Sequence, residues 1–287
     1  KLVLNFSPIA AGGGQQNACS FVTTLRDFQP HLSNFVAVVR SDSELETLCL
    51  NIGLRTIAIP RGALSRFSAE RSCQLEFEVG TPCFTLFGPP LFGSSGHLLN
   101  IIGCAYSNLF YPEVNFWGHL ERFARLKKDA VDQYRRIALT QADYWIFETD
   151  TLRRRAVDLF NFPEARSKVV KMAPSTLVSP ETVERALVSK FQQTIPNKFC
   201  FLFLNGAHPN KRMHTLPAIA SAMRATSRKE FCFVATLPFD DPYTSDIERD
   251  FASAGISDAW CNLGPVAPYE VSSLISTIDC MCTFSLL

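Results

Sequence analysis

The sequence predicts an α/β protein of two Rossmann-like domains whose parallel sheets face one another across a cleft, the second domain being incomplete. Three observations carry this expectation. First, each half contains the same strand, tight loop and helix. Residues 2–6 lead into Gly12-Gly13-Gly14-Gln15-Gln16 and an amphipathic stretch, and residues 199–204 lead into Asn205-Gly206-Ala207-His208-Pro209-Asn210-Lys211-Arg212 and another. Such a unit aims helix N-terminal N–H groups at an anion near the carboxyl end of the strand. Second, short apolar runs alternate with stretches whose apolar residues recur every three to four positions, the pattern of a parallel sheet covered by helices. Third, Pro174, Pro180 and Pro196 crowd one segment between two such series, as at a domain boundary.

In chain order, strands are expected at 2–6, 35–39, 56–59, 83–87, 101–105, 144–147 and 169–172, with helices at 16–26, 44–51, 120–139 and 151–160. These make a first domain over 1–177. A linker over 178–197 holds one helix, 181–191. The second domain, 198–287, reads as strands at 199–204, 231–235, 260–263 and 280–284, with helices at 214–224, 245–254 and 271–277. An open sheet edge at its close reads as a chain that stops inside that domain.

At 287 residues, 47% of them hydrophobic, the chain has ample apolar material for two cores. A net charge of +1 argues against bulk binding of nucleic acid. No apolar run approaches the roughly 18–20 residues that span a bilayer, and the opening segment lacks the pattern of a signal peptide. The ten cysteines are scattered, with no Cys-x-x-Cys pair, and Cys83, Cys104, Cys200 and Cys232 sit inside apolar runs. There a thiol acts as a small hydrophobe, so a reducing cytoplasm is expected, without a metal site or disulfide framework.

Lys211 and Arg212 are the strongest candidates for chemistry, because two cations in a strand-to-helix loop suit the charge of a diphosphate. His208, in the same loop, either orients a phosphate or sugar hydroxyl or is simply exposed. Gly13, Gly14 and Gln15 allow backbone to approach a ligand closely. The spacing is not Gly-x-Gly-x-x-Gly, which counts against a dinucleotide oxidoreductase. In Glu148-Thr149-Asp150, after an expected strand, Thr149 or Asp150 reads as a helix N-cap.

With the glycine loop, the lysine loop and the stretch Leu263-Gly264-Pro265-Val266-Ala267-Pro268-Tyr269-Glu270 together, most of the chain resembles the retaining glycosyltransferases of family 4 (glycosyl transferases group 1), which have the GT-B fold. The resemblance implies sugar transfer from a nucleotide-diphosphate donor to a saccharide or lipid-linked acceptor, as in polysaccharide biosynthesis. Anomeric configuration would be retained without a bound metal. The nucleotide-sugar is a substrate, so no cofactor is implied. Gly14, His208, Lys211, Arg212, Val266 and Thr149 fall where the family holds the donor, with Lys211 and Arg212 catalytic. Gly13, Gln15, Tyr106 and Asn108 fall on the acceptor side. The family often has a histidine after the strand matching 101–105, and this chain has Tyr106-Ser107-Asn108 there. The acidic motif that normally follows the Ser285-Leu286-Leu287 element lies past the last residue.

Basic residues on the 120–139 stretch and nearby Phe110, Tyr111, Phe116 and Trp117 raise the expectation of peripheral contact with an anionic membrane. Two other readings stand beside the transferase: a nucleotide-binding or regulatory module without catalysis, and a GT-B nucleotide-sugar epimerase.

Overall fold

A computed structural model describes all residues except 10–11, 29–30, 106, 172–177, 228 and 286–287. The chain divides into two compact units, residues 1–173 and 174–287.

In the first unit the described residues run β1 (Leu2–Asn5), α1 (Gly12–Phe28), β2 (Phe35–Arg40), α2 (Glu44–Asn51), β3 (Arg55–Ile59), α3 (Ala63–Gln74), β4 (Pro82–Thr85), β5 (Leu99–Cys104), α4 (Ser107–Phe110), α5 (Arg122–Thr140), β6 (Tyr144–Phe147), α6 (Asp150–Phe160) and β7 (Ser167–Val169). The strands form one parallel sheet of order β3-β2-β1-β4-β5-β6-β7. Alternate residues of a strand face opposite sides, and both sides are covered. Leu4, Ala37 and Val39 pack with Ala18 and Val22 of α1. Val3, Val36 and Val38 pack with Cys73 of α3. Each valine or leucine among them removed from water contributes about 1.5–3 kcal/mol. The far end of the sheet is closed by aromatics, with Trp145 stacked on Phe162 at 3.8 Å between ring centroids.

Gly103 shows how tightly β5 meets the loop after β4. A Cβ there would lie 2.0 Å from the Leu86 carbonyl oxygen, which only glycine avoids.

The second unit runs α7 (Arg185–Thr194), β8 (Phe199–Phe203), α8 (Leu216–Thr226), β9 (Phe231–Ala235), α9 (Pro242–Ser253), β10 (Trp260–Asn262), α10 (Val271–Ile275) and β11 (Cys280–Met281). Its parallel sheet has the order β10-β9-β8-β11. Every residue of β9 is buried. Phe231, Phe233 and Ala235 meet α8 and α9, while Cys232 and Val234 meet Phe191 of α7 and Leu274 of α10.

Most expected elements are present with shifted ends. The expected helix at 181–191 is instead a 3-10 turn, Pro180–Thr182, followed by α7. Both are tied to α10, for the Thr182 hydroxyl donates to Ser272 Oγ at 2.8 Å and the Glu184 N–H to Ser273 Oγ at 2.9 Å. The helix expected at 16–26 begins earlier, at Gly12, so the three glycines form its first turn rather than a loop before it. Strand β7 ends at Val169, earlier than the expected 169–172. Helix α3 had no apolar stripe to announce it: its inward residues include Glu70 and Gln74 as well as Cys73.

Candidate functional site

A parallel α/β sheet binds ligands outside the carboxyl ends of its strands, where the chain's winding direction reverses. The reversals here fall between β1 and β4 and between β8 and β11. The glycine turn follows β1 and the lysine loop follows β8, so both sequence signatures stand at switch points.

After β8, the chain turns at His208, whose Nδ1 accepts the Asn210 N–H at 3.2 Å and caps a 3-10 turn over Pro209–Lys211. Arg212 then takes a left-handed conformation, φ 53° and ψ 27°, and joins that turn to a second one, Met213–Thr215. A side chain held there costs on the order of 1–2 kcal/mol. The surroundings impose the conformation. Met213 is fully buried, the Thr215 hydroxyl donates to the Arg212 carbonyl at 2.7 Å, and the His214 N–H donates to the Tyr243 hydroxyl at 3.1 Å. Burial pushes the Tyr243 phenol up from its ordinary value.

Lys211 is half-buried and Arg212 exposed, and neither side chain forms a hydrogen bond or ion pair among the described residues. Other cations of this unit are committed, among them Lys190 to Glu270, and Lys198 and Arg224 to Asp258. Beside the two cations, Asn210 Oδ1 is buried without a hydrogen-bond partner. Sequence reasoning passed over Asn210, since only burial distinguishes it from any other loop asparagine.

The stretch holding Val266 follows β10. Gly264 has φ +73°, and a Cβ there would fall 2.3 Å from the Phe239 ring. Val266 packs half-buried against the cluster of Phe191, Leu202 and Leu274. Glu270 accepts the Ala267 N–H at 3.0 Å and pairs with Lys190 at 3.0 Å. The Ala267 N–H, with Lys190 behind it, holds the Glu270 carboxyl below the usual range.

In the first unit the chain leaving β1 is braced from within. Asn5 donates to Thr85 Oγ1 at 3.0 Å and accepts the Ser7 N–H at 3.1 Å. The buried carboxylate of Glu70 accepts from the Ser7 hydroxyl at 2.8 Å, Arg66 Nε at 2.6 Å and the Phe92 N–H at 3.0 Å. Arg40 Nε donates to the Ser7 carbonyl at 2.8 Å. This frame sets the approach to α1, whose first turn carries no acidic side chain to occupy its N–H groups. Around Gly13 the space a Cβ would fill is open, whereas at Gly14 it would touch Ile9 and Phe87. Gln15 donates to Glu44 at 2.6 Å. Glu70 and Arg40 were not among the expected site residues; Glu70 sits on the unannounced α3, and nothing in the sequence aligns it with Ser7.

Solved structures supply the comparison that these features invite. No protein-family model matches the chain, and no curated protein matches it. Among solved structures, Anabaena HepE in complex with UDP and glucose matches with a TM-score of 0.65 at 13% identity, over 99% of this chain and 74% of that one. A glycosyltransferase from Rickettsia africae matches with 0.68 at 9% identity, over 99% and 73%. WaaG, a glycosyltransferase involved in lipopolysaccharide biosynthesis, matches with 0.61 at 11%, over 100% and 75%. The fold is GT-B.

Within the GT-B framework, His208, Lys211 and Arg212 share one loop, and Gly13, Gly14 and Gln15 share one helix turn. Thr149 caps α6, its hydroxyl oxygen accepting the Leu152 N–H at 3.2 Å. Beside it, burial raises the Glu148 carboxyl. Asn108 is spent internally, donating to Asp132 Oδ2 at 2.8 Å. Tyr106 lies outside the described residues. Among those residues no group of three or more His, Cys, Asp or Glu could hold a metal, and no helix is long and apolar enough to cross a membrane.

Proposed function

We propose that the chain is a glycosyltransferase moving a sugar from a nucleoside-diphosphate donor to a saccharide or lipid-linked acceptor. The observation that carries this reading is the pair of uncommitted cations, Lys211 and Arg212, at the β8 switch point of a GT-B unit. HepE holds UDP and UDP-glucose in its structures, which makes a UDP-sugar the first donor to test.

In the reaction the bond between the anomeric carbon and the leaving phosphate oxygen breaks, and the acceptor oxygen bonds to the same carbon. The acceptor's proton passes to the departing phosphate, so no separate protein base is required and configuration is retained. Lys211 and Arg212 take up the charge that develops on the diphosphate, a role that removes the need for a metal. His208 and Asn210 orient phosphate or sugar oxygens, Gly14, Val266 and Thr149 complete the donor side, and Gly13, Gln15, Tyr106 and Asn108 stand on the acceptor side, as in the family 4 enzymes that the sequence resembles.

The protein would work in the cytoplasm against a membrane surface. Helix α5 supports this, exposing Phe123 (87%), Leu126 (56%) and Ile137 (53%) beside Arg122, Lys127 and Lys128.

The test is calorimetry with UDP, GDP and ADP on the full chain and on Lys211→Ala. One nucleotide should bind, and the substitution should weaken it roughly 10- to 100-fold, the loss of one charge-assisted contact. A folded protein that binds none of the three overturns the reading.

A further inference from the structure

Between α5 and the chain connecting α4 to it lies a cavity of about 580 Å³ that the donor chemistry does not use. Ligand sites typically run to several hundred Å³. One face of α5 lines it, with Arg125, Asp129, Gln133 and Arg136 at successive turns, and Asn115 and Trp117 oppose them. The charges around this space are unevenly satisfied. Asp132 accepts from Asn108, Trp117 Nε1 and Arg135 at 2.8, 2.8 and 3.1 Å. Glu113 is paired with Arg155. Asp129 has Arg125 at 3.9 Å. Arg136 has no such partner: its Nε is buried without a hydrogen bond, and its side chain forms no ion pair among the described residues.

Arg136 is half-buried as a residue, and an N–H such as its Nε, taken from water and given no acceptor, is unfavourable unless a ligand supplies one. Its planar guanidinium fork matches a phosphate or carboxylate with two parallel hydrogen bonds. The remaining lining suits a sugar, since Asn115, Gln133 and Asp129 can exchange hydrogen bonds with hydroxyls, and Trp117, whose ring carries Lys128 Nζ 5.0 Å from its centroid, borders the space. We infer that this cavity binds an anionic saccharide, gripping its phosphate or carboxylate through Arg136. The inference rests on the proposed transferase reading only in making that saccharide the acceptor, or part of it.

The experiment needs no donor and no turnover. Calorimetry on the full chain with glucose 6-phosphate, glucuronate and glucose should show binding of at least one anionic sugar and at least tenfold weaker binding of glucose. Arg136→Met should lose that binding tenfold or more, leave UDP binding unchanged and leave the melting temperature equal or higher, because an unsatisfied donor has been removed. A purely structural arginine would instead lower the melting temperature. Should Arg136→Met fail to fold, fluorescence replaces it: glucose 6-phosphate should perturb tryptophan emission in the native protein and not in Trp117→Phe. Equal binding of glucose and the anionic sugars overturns the inference. So does an Arg136-dependent interaction seen only with phosphatidylglycerol vesicles, which would assign the arginine to lipid headgroups. UDP binding measured on the same sample keeps failure of this site separate from failure of the donor site.

Discussion

The two switch points differ in what they leave unsatisfied. After β8 the lysine loop holds Arg212 at φ 53° and leaves two cations without partners among the described residues. After β1 the polar groups are consumed internally: Arg40 turns back onto the Ser7 carbonyl, Glu70 gathers three donors, and Gln15 is tied to Glu44. What remains open there is space beside Gly13, at the start of a helix whose first turn carries no acidic side chain. One site therefore offers charge and the other offers room. In a transfer reaction those correspond to stabilising a leaving group and admitting an acceptor.

The sharpest way to break this comparison is Lys211→Ala. Transfer should fall by roughly 10²–10³, the effect of removing a group aimed at developing charge, with an unchanged thermal melt. A loss confined to stability would remove the diphosphate role. Glu70→Gln probes the other site's bracing, and breaking a buried ion pair with Arg66 should cost on the order of 3 kcal/mol, read by urea denaturation. An effect near zero would mean that the frame around Ser7 is not held by charge. Arg212→Gly relieves the left-handed strain, so stability should be equal or up by about 1 kcal/mol while UDP binding weakens; stability and binding falling together would say that the conformation is structural. Gly13→Ala is the gentlest probe. It meets open space within a helix and should stabilise by up to about 1 kcal/mol, so any drop in transfer measures how closely a ligand approaches.

A titration adds a smaller effect. Burial raises Glu148, so its folded-state pKa lies above the unfolded one. Its contribution to stability is fully present below the unfolded pKa and is lost as pH rises through the folded value. Denaturation measured across that window should show a decline that Glu148→Gln abolishes; an identical profile in the variant would place the titration elsewhere.

The sequence announced what periodicity and local chemistry can announce. The strands are apolar and short, and the cationic loop is visible because Lys211 and Arg212 lie between a strand and a helix. Its silence has physical causes. Helix α3 buries Glu70 and Gln74, so hydrophobic spacing could not reveal it, and with it went the bracing of Ser7. Asn108 was visible as an acceptor-side candidate, but not the bond that fixes its amide to Asp132, a contact across 24 positions. Arg136 looked like one more charge on a solvated basic helix. Only knowing which of those charges has a partner separates it from Arg135, which is three residues along from Asp132 and paired with it at 3.1 Å.

The thiols carry a consequence of a different kind. All ten cysteines are free; burial holds Cys49, Cys73 and Cys83 up to about 12 and raises Cys200, while a hydrogen bond with Cys261, with burial behind it, raises Cys232. Only a thiolate alkylates quickly, so at neutral pH these positions stay silent towards iodoacetamide until the polypeptide around them opens. Peptide-resolved labelling by mass spectrometry thereby becomes a clock with two hands. Cys49, Cys73 and Cys83 time the opening of the first unit and Cys200 and Cys232 that of the second. Added nucleotide should slow one hand and leave the other running.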